Sequence, residues 1–327
     1  MRMLVCALVV AGLMGYAPQS KAEDAYPNRA IEIIVPFGAG SATDVQVRIV
    51  AERLSGRLGQ PVIVVNKGGA DGAIAAEFIS RAKPDGYTLI TLTNGLFGIA
   101  PLYGPQSWNP LTFTAISGMA KNTQLLVVNP SFPARSIDEF VRYAKKHPDV
   151  LNVGYGNTSG RMSAELIKLL AEIRIVPVGY KTGGERETMT DVLGGHIPAA
   201  FLLTTACLGQ VKSGALRALA IVDTEPFASL PNVPTIDSDM AAFSDIVGIL
   251  PRGGIAGPPG LPPEIAGKLS GEIQGILSDP EVRAKFQVLG AVPDPMTPAE
   301  HRAYMLGQSA RWTTLVKRIG IGFDPAH

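Results

Sequence analysis

One stretch near the start of the chain limits what the protein can fold into. Ile31–Val35 is a short run of apolar, β-branched residues that predicts a buried strand. Small residues follow at 37–42, and apolar side chains then recur at helical spacing, which predicts a helix that Thr43 caps and Gly59 ends. Because a strand, a small-residue loop and a helix start together present unpaired backbone N–H groups, we expect an anion site here.

Strand–loop–helix units recur along the chain, which predicts an α/β fold. A first set ends with the strand Tyr87–Leu92 and reads β-α-β-α-β, the pattern of a parallel sheet with helices on its faces. A second set begins with the strand Gln124–Val128 and closes with Arg217–Val222. Ligands of open parallel sheets bind beyond the carboxyl ends of the strands, so two such sheets would place several helix starts around one cleft.

Local patterns predict the elements beside these loops. We expect the helix Ala73–Ala82 to bury Ile74 and Phe78. A further helix is predicted to begin at Met162, and Ile246–Leu250 is predicted to return to the first sheet as a strand.

The first 22 residues differ from the rest of the chain. Arg2 gives a positive start, and Leu4–Gly15 is apolar but too short to span a bilayer comfortably. Ser20 and Ala22 place small residues at the two positions that a signal peptidase recognises. We therefore predict a signal peptide cleaved after Ala22. Cleavage reduces the Lys and Arg count from 29 to 27, against 28 Asp and Glu, and this near-zero net charge gives no signal for nucleic-acid binding.

The sequence carries no catalytic or metal-binding motif that we recognise. It lacks a G-x-S-x-G elbow, an H-E-x-x-H pair, a C-x-x-C pair and a Walker A loop. The glycines near residue 38 begin like a dinucleotide fingerprint, but Thr43 replaces its third glycine and Asn66 stands where an acid should be. We therefore predict a binding protein that is not an enzyme and holds no cofactor and no metal.

Two serine hydroxyls leave a remote alternative, an exported hydrolase. Such an enzyme would use Ser41 or Ser159, but the sequence offers no base to pair with either hydroxyl. Cys207 is the one cysteine that remains after the leader is removed, and we expect it to be a buried, small apolar residue.

A series of short motifs resembles one family over nearly the whole mature chain. In chain order they are Tyr26-Pro27, Ile34-Val35-Pro36-Phe37, Thr43-Asp44, Leu58-Gly59-Gln60-Pro61-Val62, Asn66-Lys67, Lys83-Pro84-Asp85-Gly86-Tyr87-Thr88-Leu89, Tyr180-Lys181, Asp191-Val192-Leu193-Gly194-Gly195, Leu216-Arg217-Ala218-Leu219-Ala220, Leu230-Pro231-Asn232-Val233-Pro234-Thr235 and Asp279-Pro280-Glu281-Val282-Arg283. Together they resemble the periplasmic solute-binding receptors of tripartite tricarboxylate transporters, also called the Bug family.

The resemblance implies a two-domain periplasmic-binding-protein (Venus-flytrap) architecture of α/β lobes with a ligand cleft between them. On this basis residues 1–22 are the signal peptide, 23–125 and 246–327 form lobe 1, and 126–245 form lobe 2 with its Pro-rich return segment. We expect a periplasmic monomer that delivers its ligand to membrane transporter subunits. A ligand-sensing adaptor of the same fold, which signals to a membrane sensor, is the alternative.

The resemblance also implies that two loops, one from each lobe, hold one carboxylate of the ligand. These loops correspond to Phe37–Thr43 and Gly156–Met162, flanked by Thr93-Asn94 and Tyr180–Gly184. The predicted ligand-binding residues are Phe37, Gly38, Ala39, Gly40, Ser41, Ala42, Thr43, Asp44, Thr93, Asn94, Asn157, Thr158, Ser159, Arg161, Met162, Tyr180, Lys181, Gly183 and Thr204. The expected ligand is a small organic acid, a mono- or dicarboxylate, with aromatic acids left open.

The second loop departs from the family pattern, because it is shorter and carries Arg161-Met162. A cation is unfavourable at a helix start, so Arg161 either grips a carboxylate in the cleft or points outward into solvent. Met162 either packs inside the lobe or contacts an apolar ligand body. The sequence leaves both questions open.

Overall fold

The chain alternates strands and helices almost throughout, as predicted. The computed structural model describes residues 26–69, 72–96, 107–180, 184–238, 243–249 and 251–320. The strands are β1 (Ile31–Val35), β2 (Val62–Asn66), β3 (Thr88–Thr93), β4 (Thr114–Asn122), β5 (Gln124–Val128), β6 (Leu151–Tyr155), β7 (Ile175–Gly179), β8 (Ala199–Leu203), β9 (Arg217–Val222), β10 (Arg252–Gly257) and β11 (Ala291–Pro293). The α-helices are α1 (Ala42–Leu58), α2 (Ala73–Ser80), α3 (Ile137–Lys146), α4 (Thr158–Ala171), α5 (Gly184–Leu193), α6 (Thr204–Lys212), α7 (Ser244–Val247), α8 (Pro263–Ser278), α9 (Pro280–Val288) and α10 (Pro298–Ile319).

These strands form two mixed sheets. The first sheet has six strands in the order β11-β4-β10-β3-β1-β2, and the second has five in the order β7-β6-β8-β5-β9. In the first sheet β1 lies parallel to both β2 and β3, and in the second β6 lies parallel to both β7 and β8. The predicted α/β class and the parallel arrangement of the first set are therefore confirmed.

The chain crosses between the sheets twice, at neighbouring points. β4 ends in the first sheet at Asn122 and β5 begins in the second at Gln124, so Thr123 alone makes the first crossing. The second crossing leaves β9 at Asp223, whose carboxylate lies 2.8 Å from Nζ of Lys121 on β4. Both side chains are largely buried, so this ion pair joins the two crossings.

Helix α10 packs against both halves of the molecule. Its residue Met305 belongs to a core cluster beneath the first sheet, whereas Trp312 and Val316 pack with residues of the second. The segment 246–327 was assigned to lobe 1 from the sequence, and that division stays a prediction.

Two details near α1 and α2 differ from the sequence-based expectation. The N-cap of α1 is Ser41, not Thr43, since the Ser41 side chain accepts a hydrogen bond from the Asp44 N–H. Gly59 does end the helix in the left-handed region, with φ of 65°. In α2 the predicted face was wrong: Ile74 and Phe78 are 53% and 41% exposed, because the small residues Ala75 and Ala76 and the side chain of Ile79 face the sheet instead.

Two further elements begin elsewhere than predicted. α4 starts at Thr158 rather than Met162, so most of the predicted second loop is the first turn of a helix. The returning strand is β10, not Ile246–Leu250. The first two residues of that predicted strand belong to the helix α7, and Leu250 lies outside the described residues. Gly254 of β10 has no room for a side chain, because a β-carbon there would lie 2.3 Å from the His301 ring.

Gly156 joins β6 to α4 and packs directly on the start of α5. A β-carbon there would lie 2.2 Å from the Glu185 nitrogen and 2.4 Å from the Gly184 carbonyl carbon, and backbone atoms yield little. We predict that Gly156→Ala lowers the free energy of unfolding by about 2–3 kcal/mol, measured by urea denaturation.

Gly209 in the exposed part of α6 is the matched control, because a β-carbon there meets no atom within 4 Å. Gly209→Ala should raise helix stability by about 0.5–1 kcal/mol. If Gly156→Ala unfolded at the same urea concentration as the wild-type protein, the packing described here would be wrong.

Candidate ligand-binding site

The carboxyl ends of parallel strands form one edge on each sheet, and helices begin at both edges. On the first sheet α1 follows β1, and on the second sheet α4, α5 and α6 follow β6, β7 and β8. These edges are where open parallel sheets bind ligands. The predicted residues 37–44, 93–94 and 157–159 all lie at one edge or the other.

The start of α1 supplies free backbone donors. Ser41 caps the Asp44 N–H, and the Val45 N–H donates to the Ser41 carbonyl oxygen. Within the described residues, no acceptor is present for the N–H groups of Ala42 and Thr43, the first two of the helix. The preceding residues 38–40 are exposed, so an anion can reach these donors.

Asp44 braces this loop from within. Its carboxylate accepts hydrogen bonds from the Gly40 N–H at 2.8 Å, from Nδ2 of Asn66 at 2.9 Å and from Nε of Arg48 at 3.0 Å. Burial alone would raise the pKa of Asp44, but these hydrogen bonds and the Arg48 charge lower it below its ordinary value. Because the protein occupies its oxygens, Asp44 shapes the loop rather than offering an atom to the ligand.

The start of α4 is the corresponding feature of the second sheet. Oδ1 of Asn157 accepts a hydrogen bond from the Gly160 N–H at 2.8 Å and caps the helix. Thr158 and Ser159 then occupy the first two helical positions, as Ala42 and Thr43 do in α1. Arg161 is half-buried in this turn, and its predicted grip on a carboxylate stays a prediction.

Glu185 lies among three helix starts on the same edge. One carboxylate oxygen accepts from Nδ2 of Asn157, the cap of α4, and the other accepts from the N–H of Leu203, the cap of α6, at 3.0 Å. The residue itself is in the first turn of α5. Although the residue as a whole is only half-buried, burial around its carboxyl group raises the pKa from 4.5 to about 7.

Contacts between the two sheets' edges bring the predicted loops toward one another. A β-carbon on Gly95, just after β3, would lie 3.3 Å from Oγ1 of Thr158 at the start of α4. On the other side, Oγ1 of Thr204 lies 2.9 Å from the Thr123 carbonyl oxygen and 2.5 Å from that of Gly290. The two edges therefore face each other across a narrow cleft.

Several predicted residues are engaged in the protein itself. Nδ2 of Asn94 donates to the Ile249 carbonyl oxygen, and Oδ1 of Asn94 accepts from the Tyr304 hydroxyl at 3.0 Å. The Tyr180 hydroxyl donates to Asp191 at 2.6 Å. Met162 is 1% exposed and packs in the hydrophobic core, so we remove it from the candidate site. The predicted residues Lys181 and Gly183 lie outside the described residues.

Sequence reasoning missed Glu185 and Gly95. Glu185 follows two glycines at the start of a helix, where an acid is ordinary, and this signal does not distinguish it from other acidic first-turn residues. Its partners Asn157 and Leu203 are distant in the chain, so only the fold reveals the cluster. Cys207 is fully buried as predicted, and burial together with the charge of Glu185 raises the pKa of its thiol.

Two sheets with a cleft between their carboxyl edges define the class of periplasmic binding proteins, and solved structures agree. R. palustris Rpa4515 with adipate has a TM-score of 0.81 and 28% identity, covering 91% of this chain and 99% of that one. MatC from Rhodopseudomonas palustris with bound malate has a TM-score of 0.78 and 27% identity, covering 89% and 100%.

The family follows from the sequence comparisons. The model described as Tripartite tricarboxylate transporter family receptor matches residues 46–321, and the chain belongs to that family. Protein BugT of Bordetella pertussis is 30% identical over 306 residues, which are 91% of each chain. The resemblance seen in the sequence is confirmed, and the family's role makes this protein a solute-binding receptor, not an enzyme.

Two further observations concern the described residues. None of their helices has the length and apolar character that a membrane crossing requires. They also contain no group of three or more His, Cys, Asp or Glu side chains placed to hold a metal ion.

The raised pKa of Glu185 gives a pH prediction. Its contribution to stability is fully present below the unfolded-state pKa of 4.5 and is lost as the pH rises through about 7. Glu185→Gln removes this titration. Relative to the variant, the wild-type protein should therefore lose about 2–3 kcal/mol between pH 4.5 and pH 8, measured by urea denaturation across that range.

Glu187→Gln, in the same helix and exposed, is the control and should keep the wild-type profile. Parallel stability profiles for wild type and Glu185→Gln would show that the Glu185 carboxyl group titrates normally.

Proposed function

We propose that this receptor captures a small organic acid in the cleft between its two lobes and delivers it to subunits of a membrane transporter. The observation that supports this most is the pair of N–H groups at the start of α1 for which the described residues offer no acceptor. Adipate and malate in the similar structures are both small organic acids. The predicted signal peptide and periplasmic location fit the same role.

Micromolar binding needs more energy than the N–H groups of Ala42 and Thr43 supply alone, so the second loop must contribute donors as well. Micromolar binding corresponds to about 8 kcal/mol. Hydrogen bonds to a charged group contribute about 1.5–3 kcal/mol each, so three or four of them and some buried ligand surface reach this affinity after the ordering terms are subtracted. Because only a closed cleft lets both loops touch one ligand, binding should favour the closed form.

Ala42 allows a test of a single backbone donor. Proline is tolerated at the first position of a helix, and Ser41 before it already has the extended backbone that proline requires, with φ of −65° and ψ of 157°. Ala42→Pro should therefore leave the fold intact, remove one N–H and weaken carboxylate binding by about 10–100-fold. A thermal-shift screen of carboxylates first identifies a ligand. Isothermal titration calorimetry then measures its affinity for the wild-type protein and the variant.

Ala42→Gly keeps the N–H at the same position and is the matched control, with affinity close to that of the wild-type protein. Equal binding by Ala42→Pro and Ala42→Gly would exclude this donor from the site. Stabilisation only by sugars or cations in the screen would contradict the proposed function.

A further inference from the structure

The first crossing between the sheets is contacted by helices from both edges of the cleft. It comprises the consecutive residues Asn122, Thr123 and Gln124. Helix α1 contacts the first of them, α6 the second and α4 the third. Helices that begin far apart in the chain therefore converge on one short piece of backbone.

The contact with α1 is a hydrogen bond between two amides. Nε2 of Gln46, in the second turn of α1, donates to Oδ1 of Asn122 at 2.7 Å. Gln46 is 1% exposed and Asn122 is 8% exposed. The bond is thus shielded from water, which strengthens it and makes its loss costly.

The contact with α4 has the same character on the other side of Thr123. Oγ of Ser163, in the second turn of α4, donates to Oε1 of Gln124 at 2.6 Å, and both residues are buried. The carbonyl oxygen of Thr123 itself accepts from the N–H of Thr204, the first residue of α6, at 2.9 Å. Within the described residues, Oε1 of Gln46 and Nε2 of Gln124 have no hydrogen-bond partner. Losing either of the bonds named here would therefore leave a buried amide group unpaired.

Both bonds lie one turn behind a helix start that the proposed function places against the ligand's carboxylate. Ala42 and Thr43 begin α1, and Thr158 and Ser159 begin α4. The backbone of an α-helix is hydrogen-bonded from turn to turn, so fixing the second turn also fixes the first. A carboxylate held by both starts needs its donors within about 0.5 Å of their binding positions, because hydrogen bonds weaken steeply away from their preferred geometry.

Resting on the proposed function, we infer that Gln46 and Ser163 are positioning residues for ligand capture. Through Asn122 and Gln124 they fix the starts of α1 and α4 relative to one another, so that both starts can bind the same carboxylate. Both side chains are buried and act through the crossing. Loss of either bond therefore weakens carboxylate binding even when the protein is fully folded.

The test compares these bonds with a bond of the same chemistry elsewhere. In α8, Nε2 of Gln274 donates to Oγ of the buried Ser270 at 2.7 Å, and this helix carries no residue of the candidate site. The probes are straight-chain mono- and dicarboxylates of four to eight carbons, together with malate and benzoate. Calorimetry measures the affinity of the full-length mature protein for the tightest of these acids, and urea denaturation confirms that each variant is folded.

The two pairs of variants should separate binding from stability. Ser163→Ala and Gln46→Met should each weaken binding by about 5-fold or more. Ser270→Ala and Gln274→Met remove the same kind of bond, and their affinities should stay within about twofold of wild type.

The outcomes distinguish this inference from the proposed function. A smaller loss of affinity in either Ser163→Ala or Gln46→Met overturns the positioning role, while the carboxylate receptor stands. An equal loss in the α8 variants overturns it as well, because affinity would then follow general stability. If none of the acids binds the wild-type protein, the proposed function itself fails and this inference with it. Should Gln46→Met not fold, Ser163→Ala alone decides.

Discussion

The arrangement of the whole molecule depends on how closely the chain joins its two sheets at the first crossing. β4 and β5 are separated by Thr123 alone, and the Lys121–Asp223 ion pair joins this crossing to the second one. Helix α10 also connects the two sheets, because Met305 packs with the first sheet and Trp312 with the second. These connections hold the carboxyl edges of the two sheets opposite each other, which is why helix starts far apart in the chain share one cleft.

The two edges of that cleft use carboxylates in different ways. At the start of α1 the protein leaves backbone donors unpaired and uses the Asp44 carboxylate only to brace the loop. On the second edge the Glu185 carboxylate is placed among the helix starts, with its pKa raised by burial.

Much of the fold was visible in the sequence because its signals are local. The β-branched run at 31–35, the αL glycine at 59 and the capping box of α10 at Thr297 and Glu300 each specify an element without help from distant residues. β4 and β10 were not predicted, since they are rich in Ala and Gly and owe their conformation to neighbours on both sides. The face of α2 was misjudged for a related reason: small alanines fit the sheet better than Ile74 and Phe78.

The candidate site, like the fold, could be predicted from the sequence only in part. The small residues before α1 predict open backbone N–H groups, so this loop could be predicted from residues 37–43 alone. Glu185 could not, because its significance comes from Asn157 and Leu203, which only the fold brings to it. Arg161 drew attention as an unusual cation, yet its sequence position says nothing about which way the side chain points.

A crystal structure of the mature protein with its tightest-binding carboxylate tests the central claim most directly. The account predicts the ligand between the two sheets, with carboxylate oxygens about 2.7–3.2 Å from the N–H nitrogens of Ala42 and Thr43. A ligand bound outside this cleft, or one whose carboxylate contacts neither helix start, would contradict it.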